Sequence, residues 1–280
     1  MAALVRPWLC ALLLTRAGFP AAQDTGPVHE APYVPSPAAT VDEMLRLARV
    51  GPGDVVYDLG AGDGRVVIAA AAKFGARGVG VERDARLVAQ ARQHAARAGV
   101  AERVRFVQQD LFATDLGEAT VIALYLSPNL NLKLRPALLA LAPGTRIVSH
   151  SSGMGDWRPD RKTAIRKDVL LWIVPARVTG RWRSVPGVAP RAGALELEFT
   201  QRYQEVSASA RLGGAPMQVW EARLEADRLS FVIVENPGMD GEVGHYFDGR
   251  VAGGVIEGQV ARGVGKEREM RAWRAERVAP

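Results

Sequence analysis

The segment DLGAGDGR at Asp58–Arg65 restricts the possible folds of this chain more than any other. It lies between a strand-like run at residues 54–59 and a helix-like run at residues 65–74. Glycines at alternate positions let the backbone turn sharply and approach a ligand without Cβ atoms, and the first turn of the following helix offers unpaired N–H groups. The segment therefore predicts a nucleotide-type binding loop, although its Gly-x-Gly-x-Gly spacing differs from the Gly-x-Gly-x-x-Gly that binds a pyrophosphate.

Strand-sized and helix-sized segments alternate from Asp54 onward, as in the βαβ units of a parallel sheet. The predicted strands are Val55–Leu59, Gly78–Glu82, Val104–Gln108, Thr120–Leu126, Arg146–His150 and Val169–Val174. The predicted helices are Arg65–Phe74, Ala85–Ala98 and Leu130–Leu141, preceded by a helix that Thr40 or Asp42 caps. Because such connections are right-handed, helices should cover both faces. The alternation predicts an α/β fold with a doubly wound, mostly parallel, Rossmann-like sheet over residues 41–175.

Residues 176–280 change to a period of two and lose the long helical patterns. The predicted strands are Leu195–Thr200, Gln218–Leu224, Leu229–Val234, Val243–Phe247, Arg250–Val251, Val255–Val260 and Met270–Arg277. Short strands between turn residues predict a C-terminal antiparallel β domain, either a small sandwich or a partly open barrel. It carries no evident catalytic constellation, so we expect it to pack on the core or cover the active site, with a specific recognition module as the alternative.

Residues 1–22 have the pattern of a signal peptide, with the basic residue Arg6, an apolar run over Pro7–Thr15 and small residues at Pro20–Ala22. The apolar run is too short to span a bilayer as a helix, so no stable transmembrane span is predicted. The expected location is the periplasm or another exported site; it is the cytoplasm if the segment is not a working signal. Residues 23–40 are rich in Pro, Gly and Ala and predict an extended arm.

Composition restricts the partners of the chain. The formal net charge is +6, but the arginines are interleaved with acids and form no basic run, so a nucleic-acid partner is not expected. The single cysteine, Cys10, leaves no pair for a disulfide, and the four dispersed histidines lack the spacing of metal ligands. No metal site is predicted, and His94, on a polar helix, is expected to be exposed.

Acidic residues follow two of the predicted strands, and ligands of open parallel sheets bind beyond the carboxyl ends of the strands. Glu82 ends the second strand, where a carboxylate can accept two hydrogen bonds from a ribose diol. Asp110 and Leu111 follow the third strand. The glycine loop, Glu82 and Asp110, in this order, indicate a nucleotide-type cofactor. A dinucleotide such as NAD stays open as an alternative, because Glu82 would serve its ribose equally well.

The loop resembles motif I of the class I S-adenosylmethionine (SAM)-dependent methyltransferases. Three further segments extend the resemblance: YVPSP at Tyr33–Pro37, LYLSP at Leu124–Pro128 and MGDW at Met154–Trp157. Over about residues 30–175 the chain is similar to a bacterial group of these enzymes that often carry signal peptides, and to the lysine methyltransferases that act on the ATP synthase c-subunit. The resemblance implies SAM as the cofactor of a SAM-binding methyltransferase domain and a protein lysine as one acceptor.

The resemblance also implies roles for individual residues. The cofactor would be bound by Asp58, Gly60, Ala61, Gly62, Asp63, Gly64, Glu82, Asp110 and Leu111, and Tyr33, Pro35 and Ser36 would fold over it. Two departures concern the acceptor. Ser151–Gly153 stands where an acidic and aromatic stretch is expected, and no Asn-Pro-Pro-Tyr-type motif follows the fourth strand. The second departure argues against methylation of adenine or glutamine.

Methyl transfer from a sulfonium needs in-line positioning, exclusion of water and, for an amine acceptor, removal of a proton. The catalytic candidates are Tyr33, His150 and Asp156. The last two could remove the proton, while Tyr33, Tyr125 and Trp157 could line the site. Each has a structural alternative: His150 as a strand end, Asp156 as a turn residue and Tyr125 as core. The alternative to an enzyme is an exported, non-catalytic binding or assembly protein that retains the fold.

Overall fold

The computed structural model describes residues 34–279 except 166, 185–193, 236, 240–241 and 265–266. The predicted signal peptide, the arm up to residue 33 and the candidate Tyr33 lie outside the described residues. The described chain forms two sheets, one mostly parallel and one antiparallel. In this part of the chain, no helix has the length and apolar character needed to cross a bilayer.

The first sheet has seven strands in the order β3-β2-β1-β4-β5-β7-β6. They are β1 (Val55–Leu59), β2 (Arg77–Glu82), β3 (Val104–Gln108), β4 (Val121–Leu124), β5 (Arg146–His150), β6 (Arg161–Ile165) and β7 (Lys167–Ile173). Strands β1 to β5 are parallel, whereas β7 pairs antiparallel with β5 and β6 with β7. All five residues of β1 are buried, and its apolar residues divide between two clusters, as expected for a central strand covered on both faces. The predicted doubly wound α/β sheet is confirmed.

Four helices accompany this sheet: α1 (Ala38–Leu47), α2 (Arg65–Phe74), α3 (Ala85–Arg97) and α4 (Pro128–Leu138). Helix α1 begins before both predicted caps, Thr40 and Asp42, and neither side chain caps it. The carbonyl of Pro37 accepts the N–H of Thr40 at 2.9 Å, so the helix starts directly after the proline whose φ is fixed. Helix α4 begins two residues earlier than predicted, because Ser127 caps it and Pro128 suits the first helical position.

The second sheet has nine antiparallel strands in the order β11-β10-β9-β8-β16-β15-β14-β13-β12. They are β8 (Gly180–Ser184), β9 (Leu195–Arg202), β10 (Glu205–Leu212), β11 (Ala215–Met217), β12 (Val219–Glu225), β13 (Arg228–Glu235), β14 (Val243–Ala252), β15 (Val255–Val264) and β16 (Glu267–Arg277). Strand β10 lies against β12, so the sheet curls towards a barrel. Phe231 stacks on Phe247 with 4.6 Å between ring centroids, and Trp273 meets both rings edge-on. The predicted C-terminal antiparallel β domain is confirmed.

Strands β6, β8, β10 and β11 are missing from the sequence prediction. Strand β10 alternates in burial but carries mostly Ser, Ala and charged residues, so its apolar contrast is too weak to reveal a period of two. Strand β6 forms an edge of its sheet and begins with exposed residues. Strand β14 runs unbroken from Val243 to Ala252 and joins two predicted strands, because Gly249 stays paired within the ladder.

Candidate active site

The glycine loop connects β1 to α2 at the carboxyl edge of the parallel strands. Gly60, Gly62 and Gly64 have φ values of +86°, +54° and +81°, in the left-handed region that other residues disfavour. The N–H groups of Gly60 and Ala61 both donate to the carbonyl of Val81 in β2, at 2.9 Å. The glycines and these two bonds together set the shape of the loop.

Glu82, at the end of β2, is bonded to the loop as well. Its Oε2 accepts the N–H of Gly62 at 2.9 Å, and its Oε1 accepts the N–H groups of Arg83 and Asp84 at 2.8 and 2.9 Å. A carboxylate has about four lone-pair sites, so these three bonds leave acceptor capacity for a ribose hydroxyl. The side chain is therefore fixed in place beside the loop before any ligand binds.

Asp58 is buried at the end of β1, beside the same loop. Burial raises the pKa of the Asp58 carboxyl to about 7, and the nearby negative charges of Glu82 and Asp63 contribute to the rise. No hydrogen bond from a described residue opposes this rise in pKa. A buried carboxyl without such support favours a cationic ligand group, such as an ammonium, which would stabilise its charged form.

Asp63 and Arg65 connect the loop to the start of the described chain. The Asp63 carboxylate accepts hydrogen bonds from Nε and Nη2 of Arg65 at 2.9 and 2.7 Å, and Nη1 of Arg65 donates to the Ser36 carbonyl at 2.7 Å. The prediction that His94 is exposed is wrong: its ring is half-buried, with Nδ1 3.1 Å from the Asp63 carbonyl oxygen. The His94 contact spans 31 residues of sequence, which is why the helical pattern alone does not reveal it.

Asp110 lies beyond β3, next to the end of β2, since the N–H of Gln109 donates to the Glu82 carbonyl at 3.0 Å. Its side chain is exposed and accepts the N–H of Phe112 at 2.9 Å, which begins a 3-10 turn over residues 111–113. Leu111, the first residue of that turn, is half-buried. The sheet thus brings the predicted cofactor residues after β1, β2 and β3 to one edge.

His150, the last residue of β5, is buried beside Ser36 and Tyr125. Its Nδ1 lies 3.0 Å from Ser36 Oγ, and its ring stacks on that of Tyr125 with 4.1 Å between centroids. Ser151 follows with a φ of +67°, a strained value for serine, in a turn closed by the Ser152 N–H donating to the His150 carbonyl. Strand β5 therefore presents an imidazole held by a hydroxyl and an aromatic ring.

Asn131 is a site residue that no sequence pattern indicated. It is fully buried in α4, and its Nδ2 donates to Ser149 Oγ and to the carbonyls of Ser152 and Gly153, at 3.3, 3.1 and 3.4 Å. These bonds hold the turn after β5 against the helix. An asparagine within an ordinary helical pattern does not reveal such contacts with residues that lie about 20 positions away.

Two predicted acceptor-site residues have other roles. Hydrogen bonds from Arg202, then Arg135 and Tyr203, hold the pKa of Asp156 well below its usual range, so this carboxylate is a poor proton acceptor. Trp157 is buried in the apolar core, where its ring stacks on Tyr203 and does not face the end of β5 at His150. Among the described residues, no group of three or more His, Cys, Asp or Glu side chains is placed to bind a metal ion.

Comparison with known proteins identifies relatives of this chain. The family described as the ANTKMT methyltransferase domain matches residues 58–161, which begin at the glycine loop and end before the nine-stranded sheet. A protein-lysine N-methyltransferase of Saccharolobus islandicus is 42% identical over 134 residues, which are 47% of this chain and 83% of that protein. The mouse adenine nucleotide translocase lysine N-methyltransferase is 38% identical over 132 residues, 46% of this chain and 57% of the mouse protein. The chain thus spans a little over half the length of that animal relative.

A solved structure gives a further match. The structure of an RNA methyltransferase from Salinibacter ruber, in complex with S-adenosylhomocysteine (SAH), is 53% identical and has a TM-score of 0.51. The match covers 52% of this chain and 96% of that protein. The relatives therefore agree on methyl transfer, whereas their names differ in the acceptor.

Proposed function

Because the chain belongs to the ANTKMT methyltransferase family and is a SAM-dependent methyltransferase, we propose that it methylates a protein lysine. The lysine acceptor is supported by the names of the relatives from Saccharolobus islandicus and mouse. RNA is the second candidate, supported by the name of the 53% identical solved structure. The methyltransferase relatives and the SAH-bound solved structure argue against the alternative of a non-catalytic scaffold.

The observation that carries the cofactor part of the proposal is the buried Asp58 carboxyl beside a loop fixed by Glu82. In our proposal Asp58 would bind the SAM ammonium group, and Glu82 would accept a hydrogen bond from a ribose hydroxyl with its remaining lone pair. Asp110 would accept a hydrogen bond from the adenine amino group, and Leu111 would pack on the adenine ring. The remaining predicted cofactor residues, Gly60, Ala61, Gly62, Asp63 and Gly64, supply the loop backbone, with Asp63 fixed by Arg65.

When bound, SAM would supply the methyl group from its sulfonium, whose S–C bond breaks to leave neutral SAH. The chain must then exclude water and take one proton from the acceptor ammonium, so that the nitrogen lone pair forms the new N–C bond. We assign that proton to His150, which lies at the end of β5 and is oriented by Ser36 and Tyr125. Asp156 is not part of this step, because its low pKa makes it a weak base.

Export stays a proposal as well. It is supported by the pattern of residues 1–22, with a basic start, a short apolar run and small residues at the expected cleavage region. A fusion of residues 1–30 to a reporter enzyme that is active only outside the cytoplasm tests it. Activity of the reporter supports export, and an inactive but intact fusion argues for the cytoplasm.

The acceptor class is tested with tritium-labelled SAM and a cell extract separated into protein and RNA fractions. The proposal predicts label in protein, recovered after digestion as methyl-lysine by mass spectrometry, and none with Asp58→Ala. His150→Asn should lower the rate of transfer but leave SAH binding intact, because it removes the proton acceptor and not a cofactor contact. Label confined to RNA would replace the lysine proposal with the RNA alternative.

We expect SAH binding to strengthen as the pH rises towards about 7. In the free protein the Asp58 carboxyl stays mostly protonated until the pH reaches its pKa of about 7, instead of the ordinary 3.8. A ligand ammonium favours the charged carboxylate. Below that pKa, binding must release the proton, which weakens affinity by up to about tenfold per pH unit. Titration calorimetry between about pH 5.5 and 8.5, in buffers of different ionisation enthalpy, measures both the affinity and the proton released.

Asp58→Asn is the matched variant for this experiment. It should bind SAH weakly at every pH, with a flat profile and no proton release. The same raised pKa makes the contribution of Asp58 to the stability of the free protein fall as the pH rises from about 4 to 7, because the folded state binds the proton more tightly than the unfolded state. The stability of wild type relative to the variant should fall over the same range. A wild-type affinity independent of pH would contradict the role given to Asp58.

A further inference from the structure

The segment 151–157, which we call the acceptor-side loop, follows β5 directly. The proposed cofactor contacts lie after β1, β2 and β3, and β4 and β5 continue the sheet on the other side of β1. An acceptor must therefore approach over the ends of β4 and β5, where this loop begins. What holds the loop in place bears directly on which acceptor can enter.

Helix α4 holds the loop from one side. Nδ2 of Asn131 donates to the carbonyls of Ser152 and Gly153, and Nη1 of Arg135 donates to the carbonyl of Met154 at 3.0 Å and to the Asp156 carboxylate. Four backbone or side-chain acceptors of a short loop are thus bonded to two residues of one helix.

The C-terminal sheet holds the loop from the other side, through the β9–β10 hairpin at residues 202–205. Nη2 of Arg202 lies 2.6 Å from Asp156 Oδ2, and the Tyr203 hydroxyl donates to Asp156 Oδ1 at 3.0 Å. Asp156 therefore joins the hairpin to α4. We call Asp156 with Arg135, Arg202 and Tyr203 the Asp156 cluster.

Trp157 adds buried contacts to the junction between the acceptor-side loop and the β9–β10 hairpin. Its ring stacks on Tyr203 with 5.8 Å between centroids, and its Nε1 donates to Gln204 Oε1 at 2.9 Å. Gln204 Nε2 in turn donates to the Arg158 carbonyl at 2.8 Å. Every residue of the hairpin turn from 202 to 204 contacts the loop or its end, so the hairpin is a fixed part of the edge where the acceptor must enter.

We infer that the β9–β10 hairpin, fixed through the Asp156 cluster, positions the acceptor-side loop for the binding of a protein acceptor. This inference rests on the proposed function and extends it, because it makes the C-terminal sheet a determinant of acceptor choice. Arg202 and Tyr203 are positioning residues here, since they act on the loop through Asp156. Cofactor binding, on the far side of β1, should not depend on them.

The test compares wild type with Arg202→Ala/Tyr203→Phe, which removes both hairpin bonds to Asp156 and keeps the Tyr203 ring. Labelled SAM and the protein fraction of a cell extract give the half-saturating acceptor concentration and the maximal rate. We expect the former to rise about tenfold, with the maximal rate and the SAH affinity within about twofold of wild type. Hydrogen exchange should become faster at the amides of residues 151–157. Arg202→Lys, which keeps a cation beside Asp156, should raise the half-saturating acceptor concentration less than the double variant does.

Arg228→Ala is the matched control, because it breaks an Arg–Asp pair of the same length and similar exposure elsewhere in the C-terminal sheet. It should leave every readout unchanged. The inference would be overturned if the double variant had the half-saturating acceptor concentration and the hydrogen exchange of wild type. A lower maximal rate or SAH affinity at an unchanged half-saturating acceptor concentration would overturn it as well. No transfer to protein by the wild type would instead refute the proposed function, on which the inference rests.

Discussion

Replacing Gly64 by Ala is expected to destabilise the protein by about 2–5 kcal/mol, combining the strain of a left-handed conformation with overpacking. Gly64 has a φ of +81°, and a Cβ atom there would lie 2.6 Å from two Phe106 ring atoms and 2.9 Å from the Ala91 Cβ. Phe106 in β3 and Ala91 in α3 are both buried in the same core cluster, so neither can move away without loss of packing. Urea denaturation of the free protein measures the change in the free energy of unfolding.

Gly99→Ala separates the two contributions to this change. Gly99 has a φ of +69° but no atom within 4 Å of the position of a Cβ, so only the backbone strain applies. Its cost should be about 1–2 kcal/mol. Equal losses for the two variants would show that the loop at Gly64 has room for a side chain, contrary to its close packing on Phe106 and Ala91.

Replacing Trp157 by Ala is expected to cost about 3–5 kcal/mol of stability, the range for a large aromatic side chain removed from a core. The ring is fully buried between Trp172 and Tyr203, with centroid distances of 6.2 and 5.8 Å, and it joins the two sheets. Its removal leaves a cavity and deprives Gln204 of a hydrogen-bond donor. We expect a lower urea midpoint and faster hydrogen exchange in the β9–β10 hairpin.

Trp220→Ala and Trp157→Phe are the comparisons for this prediction. Trp220 is 47% exposed, so its loss should change stability by no more than about 0.5 kcal/mol. Trp157→Phe keeps most of the ring volume and should cost clearly less than alanine. If Trp157→Ala were no worse than Trp220→Ala, the two sheets would not depend on this residue for their junction.

The parallel strands can be predicted closely because they are apolar runs bounded by turn residues. The cofactor loop can be predicted because its glycines occur at a fixed spacing between a strand and a helix. The curled sheet is predictable only in outline, since strand β10, EVSASARL, shows little apolar contrast. The local sequence pattern identifies strands that are buried on one face or on both. It does not identify a strand of small and polar residues that is held in the sheet by its pairing with neighbouring strands.

Contacts between distant residues account for the rest of the site. Ser36 and His150 are 114 positions apart, and Asp156 meets Arg202 across 46. From the sequence, Asp156 is a candidate base because it is an acid near a predicted site. Its three partners, which make it a poor base, become visible only when α4 and the β9–β10 hairpin meet it in space.

Titration calorimetry of SAH into the purified protein and its Glu82→Ala variant tests the central claim most directly. The exposed Glu118→Ala, in the same domain, is the control. We predict micromolar binding by wild type and by the control, and a loss of about 10- to 100-fold in the variant, because Glu82 fixes Gly62 and is proposed to bind the ribose. A folded wild-type protein that does not bind SAH, or a Glu82→Ala variant that binds it as well as wild type, would contradict a cofactor site at the glycine loop.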